Sequence, residues 1–166
     1  MVVLNLAYTA PINPSGASPA LTQDQVWAGL RRKALQPQEF VPAITACEIV
    51  SEEALESGYK VVRKVTFSSD STIKEDRAPV KETCYHYAPN RVEFHQEDGS
   101  RISNIISQGL DGELLLTYSF EWRHPGVAEG SEQAQKLEEN HWKVAKMAVE
   151  KSISTFRRLV TDGEIL

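Results

Sequence analysis

The chain has 166 residues, with 18 Lys and Arg against 23 Asp and Glu and a net charge of −5. That length sets a single domain, and a composition 41% hydrophobic and 25% charged excludes a disordered tail, a collagen-like fibre and a disulfide-framework miniprotein. A mildly acidic chain without a basic block supplies no electrostatic reason for a nucleic-acid partner or an anionic membrane.

The apolar start, Met1 to Ala10, has no positive segment before it and is too short for a signal peptide. No apolar run reaches the length of a membrane-spanning helix. Cys47 and Cys84 belong to no CxxC spacing and read as free thiols acting as small hydrophobes; a disulfide between them would need an oxidising compartment. A cytoplasmic protein is the expectation.

Val2 to Thr9 alternates as a strand, and the Pro- and Gly-punctuated stretch from Pro11 to Pro19 is a loop. Thr22 and Gln25 have capping-box spacing for a helix whose face carries Val26, Trp27, Leu30 and Ala34. Pro37 starts a second short helix through Phe40, ended by Pro42. From Ile44 the period becomes two. Strands are predicted at Ile44–Val50, then after a Glu-rich loop at Tyr59–Phe67, and at Val80–Tyr87, Arg91–Gln96, Ile102–Ser107 and Glu113–Arg123. Ser68 to Ser71 is a turn cluster, Asp98-Gly99 is a strong hairpin signal, and Gly109 to Gly112 is a second hairpin turn. Between Gly130 and Thr161 there is neither Pro nor Gly, and Trp142, Ala145, Val149, Ile153, Phe156 and Val160 step by three or four. That spacing predicts one helix of about 25–30 residues, with Gly163 as its stop.

The fold class is therefore α+β: a seven-stranded antiparallel curved sheet, two short helices after the first strand and one long C-terminal helix. A long helix gripped by a curled sheet leaves space that side chains do not fill, and an internal hydrophobic cavity follows. The order of elements resembles the helix-grip arrangement of the Bet v 1/START-like superfamily. Three segments, Leu6-Ala7-Tyr8-Thr9-Ala10-Pro11-Ile12-Asn13, Phe40-Val41-Pro42-Ala43-Ile44 and Phe120-Glu121-Trp122-Arg123-His124-Pro125, resemble the AtaL-like family, over essentially the whole chain. That family is similar to proteins encoded in secondary-metabolite gene clusters, including the one for acetylaranotin. The superfamily includes lipid carriers, plant hormone receptors and polyketide cyclases. The resemblance implies a pocket for a small hydrophobic or aromatic metabolite, leaves binding against catalysis open, and carries over no catalytic residue.

Motifs for common enzyme classes do not occur. His86, His95, His124 and His141 form no HExxH, and there is no GxSxG, P-loop or GxGxxG. Neither a metal nor a cofactor is expected. Strand parity then selects residues for the lining. Arg63 shares the apolar phase of its strand with Tyr59, and either anchors a planar oxyanion or lies at an open mouth or bulge. Tyr118, Phe120 and Trp122 share an inward phase, as do Thr83, Tyr85 and Tyr87, and Asn104 sits between Ile102 and Ile106. Tyrosine hydroxyls in such a cavity either orient a ligand and steady an enolate or belong to strand-forming residues whose hydroxyls reach water. Asn104, if buried, needs a partner from ligand or backbone. His141, beside Trp142 on the long helix, is either a proton shuttle or structural.

Arg63, Tyr85, Tyr118 and His141 are the catalytic candidates, and Tyr59, Asn104, Phe120, Trp122, Trp142, Ala145 and Val149 the ligand-binding ones. The leading expectation is a cofactor-independent cyclase or isomerase acting on a secondary-metabolite intermediate. The rival is a non-catalytic carrier. The sequence leaves room for a homodimer.

Overall fold

A computed structural model describes residues 1–69 and 78–166. Among these, the elements in chain order are strand β1 (Val2–Pro11), helix α1 (Gln23–Leu35), strands β2 (Ile44–Leu55), β3 (Gly58–Phe67), β4 (Val80–Tyr87), β5 (Arg91–Gln96), β6 (Arg101–Gln108) and β7 (Leu114–His124), and helix α2 (Glu132–Thr161). All strand pairs are antiparallel, in the order β1-β7-β6-β5-β4-β3-β2, so the first strand closes onto the last. This is the helix-grip arrangement, with one face of the sheet turned toward α2.

Local chemistry accounts for the element boundaries. Thr22 Oγ1 accepts from the Gln25 amide at 3.2 Å while Gln25 Oε1 accepts from the Thr22 amide at 2.9 Å, satisfying two donors at the start of α1. Ser131 accepts from the Ala134 amide and starts α2, a helix of 30 residues. Gly99 holds φ +87° in the β5–β6 hairpin, a conformation that costs glycine nothing, and Asp98 Oδ1 accepts the next amide, from Ser100, at 2.8 Å.

Two expectations need correction. Only α1 is a full helix in the segment after β1; Pro37–Glu39 is a single 3₁₀ turn, because Pro42 follows too soon for more. The Glu-rich segment is not a loop: β2 continues to Leu55, and a tight turn at Glu56-Ser57 leads directly into β3. As an edge strand, β2 exposes most of its residues on either face, so no alternation marks it. Its carboxylates instead reach β3, with Glu53 paired to Lys60 at 2.8 Å and Glu52 accepting from Tyr59 Oη at 3.1 Å. The turn cluster expected at 68–71 ends outside the described residues.

The core lies between the sheet and the two helices. Val2, Leu4 and Leu6 of β1 and Leu116, Tyr118, Phe120 and Trp122 of β7 face Ala145, Val149, Ile153 and Phe156 of α2. Gly29 allows α1 to meet α2 closely: a Cβ there would sit 2.2 Å from Phe156 Cδ1. No helix among the described residues is long and apolar enough to cross a membrane.

Candidate functional site

Register brings the inward side chains into rows. Arg63 on β3 faces Glu82 on β4, and Glu82 faces Gln96 on β5. One row on, Phe94 faces Ile102, which faces Phe120; a further row places Asn104 opposite Tyr118. Residues paired in this way have Cβ atoms about 5 Å apart, close enough for direct side-chain contact.

The first row is a buried polar chain. Arg63 Nε and Nη2 donate to Glu82 Oε2 at 2.9 and 2.7 Å, and the other carboxylate oxygen accepts from Gln96 Nε2 at 2.9 Å. Arg63 Nη1 donates to the carbonyls of Lys33 and Ala34 at 3.0 and 2.7 Å, so the guanidinium also closes the C-terminal turn of α1. Burial opposes the charge on Arg63, yet Glu82 beside it raises its hold on the proton above the ordinary arginine value.

Lys33 reaches the interior from α1. It occupies the same helix face as Val26, Leu30 and Ala34, which points its stem inward. Its Nζ donates to Asn104 Oδ1 at 2.6 Å and lies 4.1 Å from the centre of the Tyr118 ring and 5.3 Å from that of Phe94. Burial, with Arg63 nearby, pulls its pKa down to about 7. The Tyr118 hydroxyl donates to Ser152 Oγ of α2 at 2.7 Å, and burial pushes its pKa up.

These groups border an internal cavity of about 80 Å³. Lys33, Arg63, Glu82 and Gln96 form its polar wall; Phe94, Tyr118, Phe120 and Trp122 form its apolar wall. Val41, Phe67, Ile102, Val144 and Ala148 line it while remaining half-exposed, which marks the mouth between α2 and the ends of β3 and β6. A volume of this size takes a few water molecules and is smaller than the ~300 Å³ lower end of ligand sites. A metabolite-sized guest requires mouth side chains to rotate outward. Within the polar wall Gln96 Oε1 and, behind Lys33, Asn104 Nδ2 are buried without a partner among the described residues.

The predicted residues divide by position. Arg63, Tyr118, Phe120 and Trp122 line the cavity, and Asn104 stands directly behind Lys33. Ala145 and Val149 are buried but absent from the lining; α2 turns Val144 and Ala148 toward the cavity instead. Tyr59, at the start of β3, is absent from the lining; it lies edge-on to His86 and its hydroxyl donates to Glu52. His141 is fully buried one layer behind the cavity, stacked on Trp122 with ring centres 5.3 Å apart, its Nε2 2.9 Å from His124 Nε2. Burial and His124 lower its pKa to about 4.

Two placements are overturned. Tyr85 points to the outer face, where it meets His95, because pairing Arg63 with Glu82 puts Glu82, Cys84 and His86 in the inward phase of β4. Trp142 is 45% exposed, since His141 and Ala145, four apart, define the buried stripe of α2. Sequence reasoning missed Lys33, Glu82 and Gln96. Lys33 is three residues beyond Leu30 and seven beyond Val26, a spacing that puts it on the apolar face and could have revealed it. Both thiols are free: Cys84 packs in the core, where burial pushes it up to about 12, and Cys47 on β2 is half-buried.

The family model described as acetylaranotin biosynthesis cluster protein L matches residues 6–163. A protein of that description from Aspergillus terreus (strain NIH 2624 / FGSC A1156) is 27% identical over 159 residues, covering 96% of this chain and 91% of the relative. Among solved structures, the KanY protein aligns with TM-score 0.64 at 12% identity, covering 94% of this chain and 99% of its own. The Zhui aromatase/cyclase from Streptomyces sp. R1128 aligns with TM-score 0.63 at 15% identity, covering 96% of each chain. At such identities the structural matches show a shared fold and nothing finer.

Proposed function

This chain belongs to the acetylaranotin biosynthesis cluster protein L family, and from that membership and its polar-walled cavity we propose that it acts in secondary metabolism, binding a largely apolar, oxygen-bearing intermediate and directing its cyclisation or isomerisation without a cofactor. The observation that carries this reading is the partition of the cavity: aromatic walls at Phe94, Phe120 and Trp122 against buried donors and acceptors at Lys33, Gln96 and Arg63. Aromatic faces would hold the carbon skeleton, and the polar wall would fix where its oxygens sit. A flexible chain held in one folded conformer away from water loses much of its entropic barrier to ring closure.

The residues take unequal parts. Arg63 has four hydrogen bonds within the protein, so it supports the wall more than it grips a ligand. Tyr118 offers its ring, its hydroxyl being engaged by Ser152. Lys33 and the partnerless amide atoms of Gln96 and Asn104 are the groups with capacity to spare. His141 would act through Trp122, as a positioning residue.

The carrier is the second reading, favoured by the engagement of Arg63 and Tyr118 with protein partners. Extract from a producing strain lacking this gene, incubated with the purified full chain and no cofactor, separates the two. Conversion of the accumulated compound supports the catalyst, and stoichiometric retention of it unchanged supports the carrier. A chain that neither retains nor converts anything refutes a metabolite cavity.

A further inference from the structure

Lys33 is the one cavity group whose ordinary role in a folded protein does not explain its place. Among the described residues its Nζ has a single hydrogen-bond acceptor, Asn104 Oδ1, and rests over the faces of Tyr118 and Phe94. No carboxylate pairs with it among the described residues, and the nearby Glu82 is already engaged by Arg63 and Gln96. Two opposed charges stand nearby: the Arg63 guanidinium, which donates to the backbone carbonyl of Lys33 itself and disfavours its proton, and the Glu82 carboxylate, which favours it. Burial, the largest effect, and the Arg63 cation outweigh Glu82 and loosen the proton, leaving a nucleophilic fraction of the amine at neutral pH, the condition that activates lysines toward carbonyl carbon. Together these bring its pKa down to about 7. In the cavity wall Gln96 Oε1 is a buried acceptor without a partner among the described residues, open to an N–H or O–H of a bound molecule.

We propose that Lys33 is a covalent site, condensing with one carbonyl of a 1,3-dicarbonyl-bearing substrate to form an enaminone within the cavity. The proposal rests on the reading of the cavity as a metabolite site, and it names the chemistry performed there. The Nζ lone pair forms a C–N bond to the carbonyl carbon, the carbonyl π pair moves to oxygen, and an amine proton transfers to that oxygen. The nitrogen lone pair then expels the hydroxyl, which leaves as water with a proton. Loss of a proton from the carbon between the two carbonyl positions gives the conjugated enaminone. The balance is amine plus diketone to enaminone plus water, with no change of oxidation state. The nitrogen keeps Asn104 Oδ1 within hydrogen-bond reach throughout, and hydrolysis reverses every step.

Acetylacetone, a small 1,3-diketone, tests this on the full-length protein without a reductant. At pH 7.5 the expected product is one adduct per chain, equal in mass to the diketone less one water, mapping to Lys33. Its rate should exceed that of exposed lysines by on the order of a hundredfold or more, since about half or more of Lys33 is unprotonated there and far less than a hundredth of an ordinary lysine. Lys33→Arg, which keeps a charge and a donor for Asn104, should remove the adduct. Adducts scattered over exposed lysines, or an adduct that persists in Lys33→Arg, overturn the proposal. NMR shifts at Phe94 and Trp122 on adding the diketone, without covalent product, overturn it while leaving the metabolite cavity standing. Absence of both shifts and adduct overturns both.

Discussion

Replacing Lys33 with Met tests the electrostatics of the cavity directly through stability. The folded chain releases the Lys33 proton near pH 7, whereas the unfolded chain holds it to the ordinary 10.5. Across that window the unfolded state binds more protons, so the Lys33 contribution to stability rises with pH, by about 1.4 kcal/mol per unit. Between pH 7.5 and 9.5 the wild type should therefore gain about 2–3 kcal/mol relative to Lys33→Met. Every other titrating group is common to both proteins and cancels in the difference. Urea unfolding followed by tryptophan fluorescence at half-unit pH intervals measures it. Near pH 9.5 the variant should also be the less stable of the two. It leaves Asn104 Oδ1 without its donor at 2.6 Å, a loss of about 1–3 kcal/mol. Parallel stability curves would show that Lys33 keeps its proton in the fold, and the reasoning about desolvation beside Arg63 would fail.

Three further outcomes are expected. Glu82→Gln leaves the Arg63 charge buried without a counter-charge and should cost about 3–5 kcal/mol, whereas the double change with Arg63→Met should recover much of that loss in urea titrations; a double-variant loss equal to the sum of the Glu82→Gln and Arg63→Met losses would mean the pair is not coupled. Gly29→Ala drives a methyl into the Phe156 ring, whose Cδ1 is 2.2 Å from the new atom, and should cost about 1–3 kcal/mol; an unchanged melting temperature contradicts the close approach of α1 to α2. His141 should titrate by NMR near pH 4 instead of 6.5, so that acidification between those values destabilises the fold through this ring, the unfolded state there binding more protons; a titration near 6.5 would place the imidazole in water.

Apart from the second half of β2, which carries no alternation, the strands, their hairpins and the long helix follow from local signals, because alternation, turn chemistry and helical spacing are properties of a few neighbouring residues. Thr22 with Gln25, Asp98-Gly99 and the stretch from Gly130 to Thr161 without Pro or Gly each act within one element, and each stands where its pattern puts it. The phase of β7 was equally legible, since Leu116, Tyr118, Phe120 and Trp122 leave only one face that can be buried.

Beyond that level, neighbours decide. The phase of β4 was ambiguous because Tyr85 and Tyr87 favour strands on either face, and only the meeting of Arg63 with Glu82 turned the tyrosines outward. Trp142 and His141 lie on opposite sides of the line through Ala145 and Val149, so the rotation of α2 against β1 and β7 chose between them. Lys33 could be placed on the apolar face of α1 from its spacing, but its partners belong to β6 and β7, more than 70 residues away along the chain. Sequence order thus carries the elements and their connections. Which polar groups share the interior, how little space remains between them, and which of them lose water are set by packing across the sheet, where energies depend on distances that no local pattern encodes.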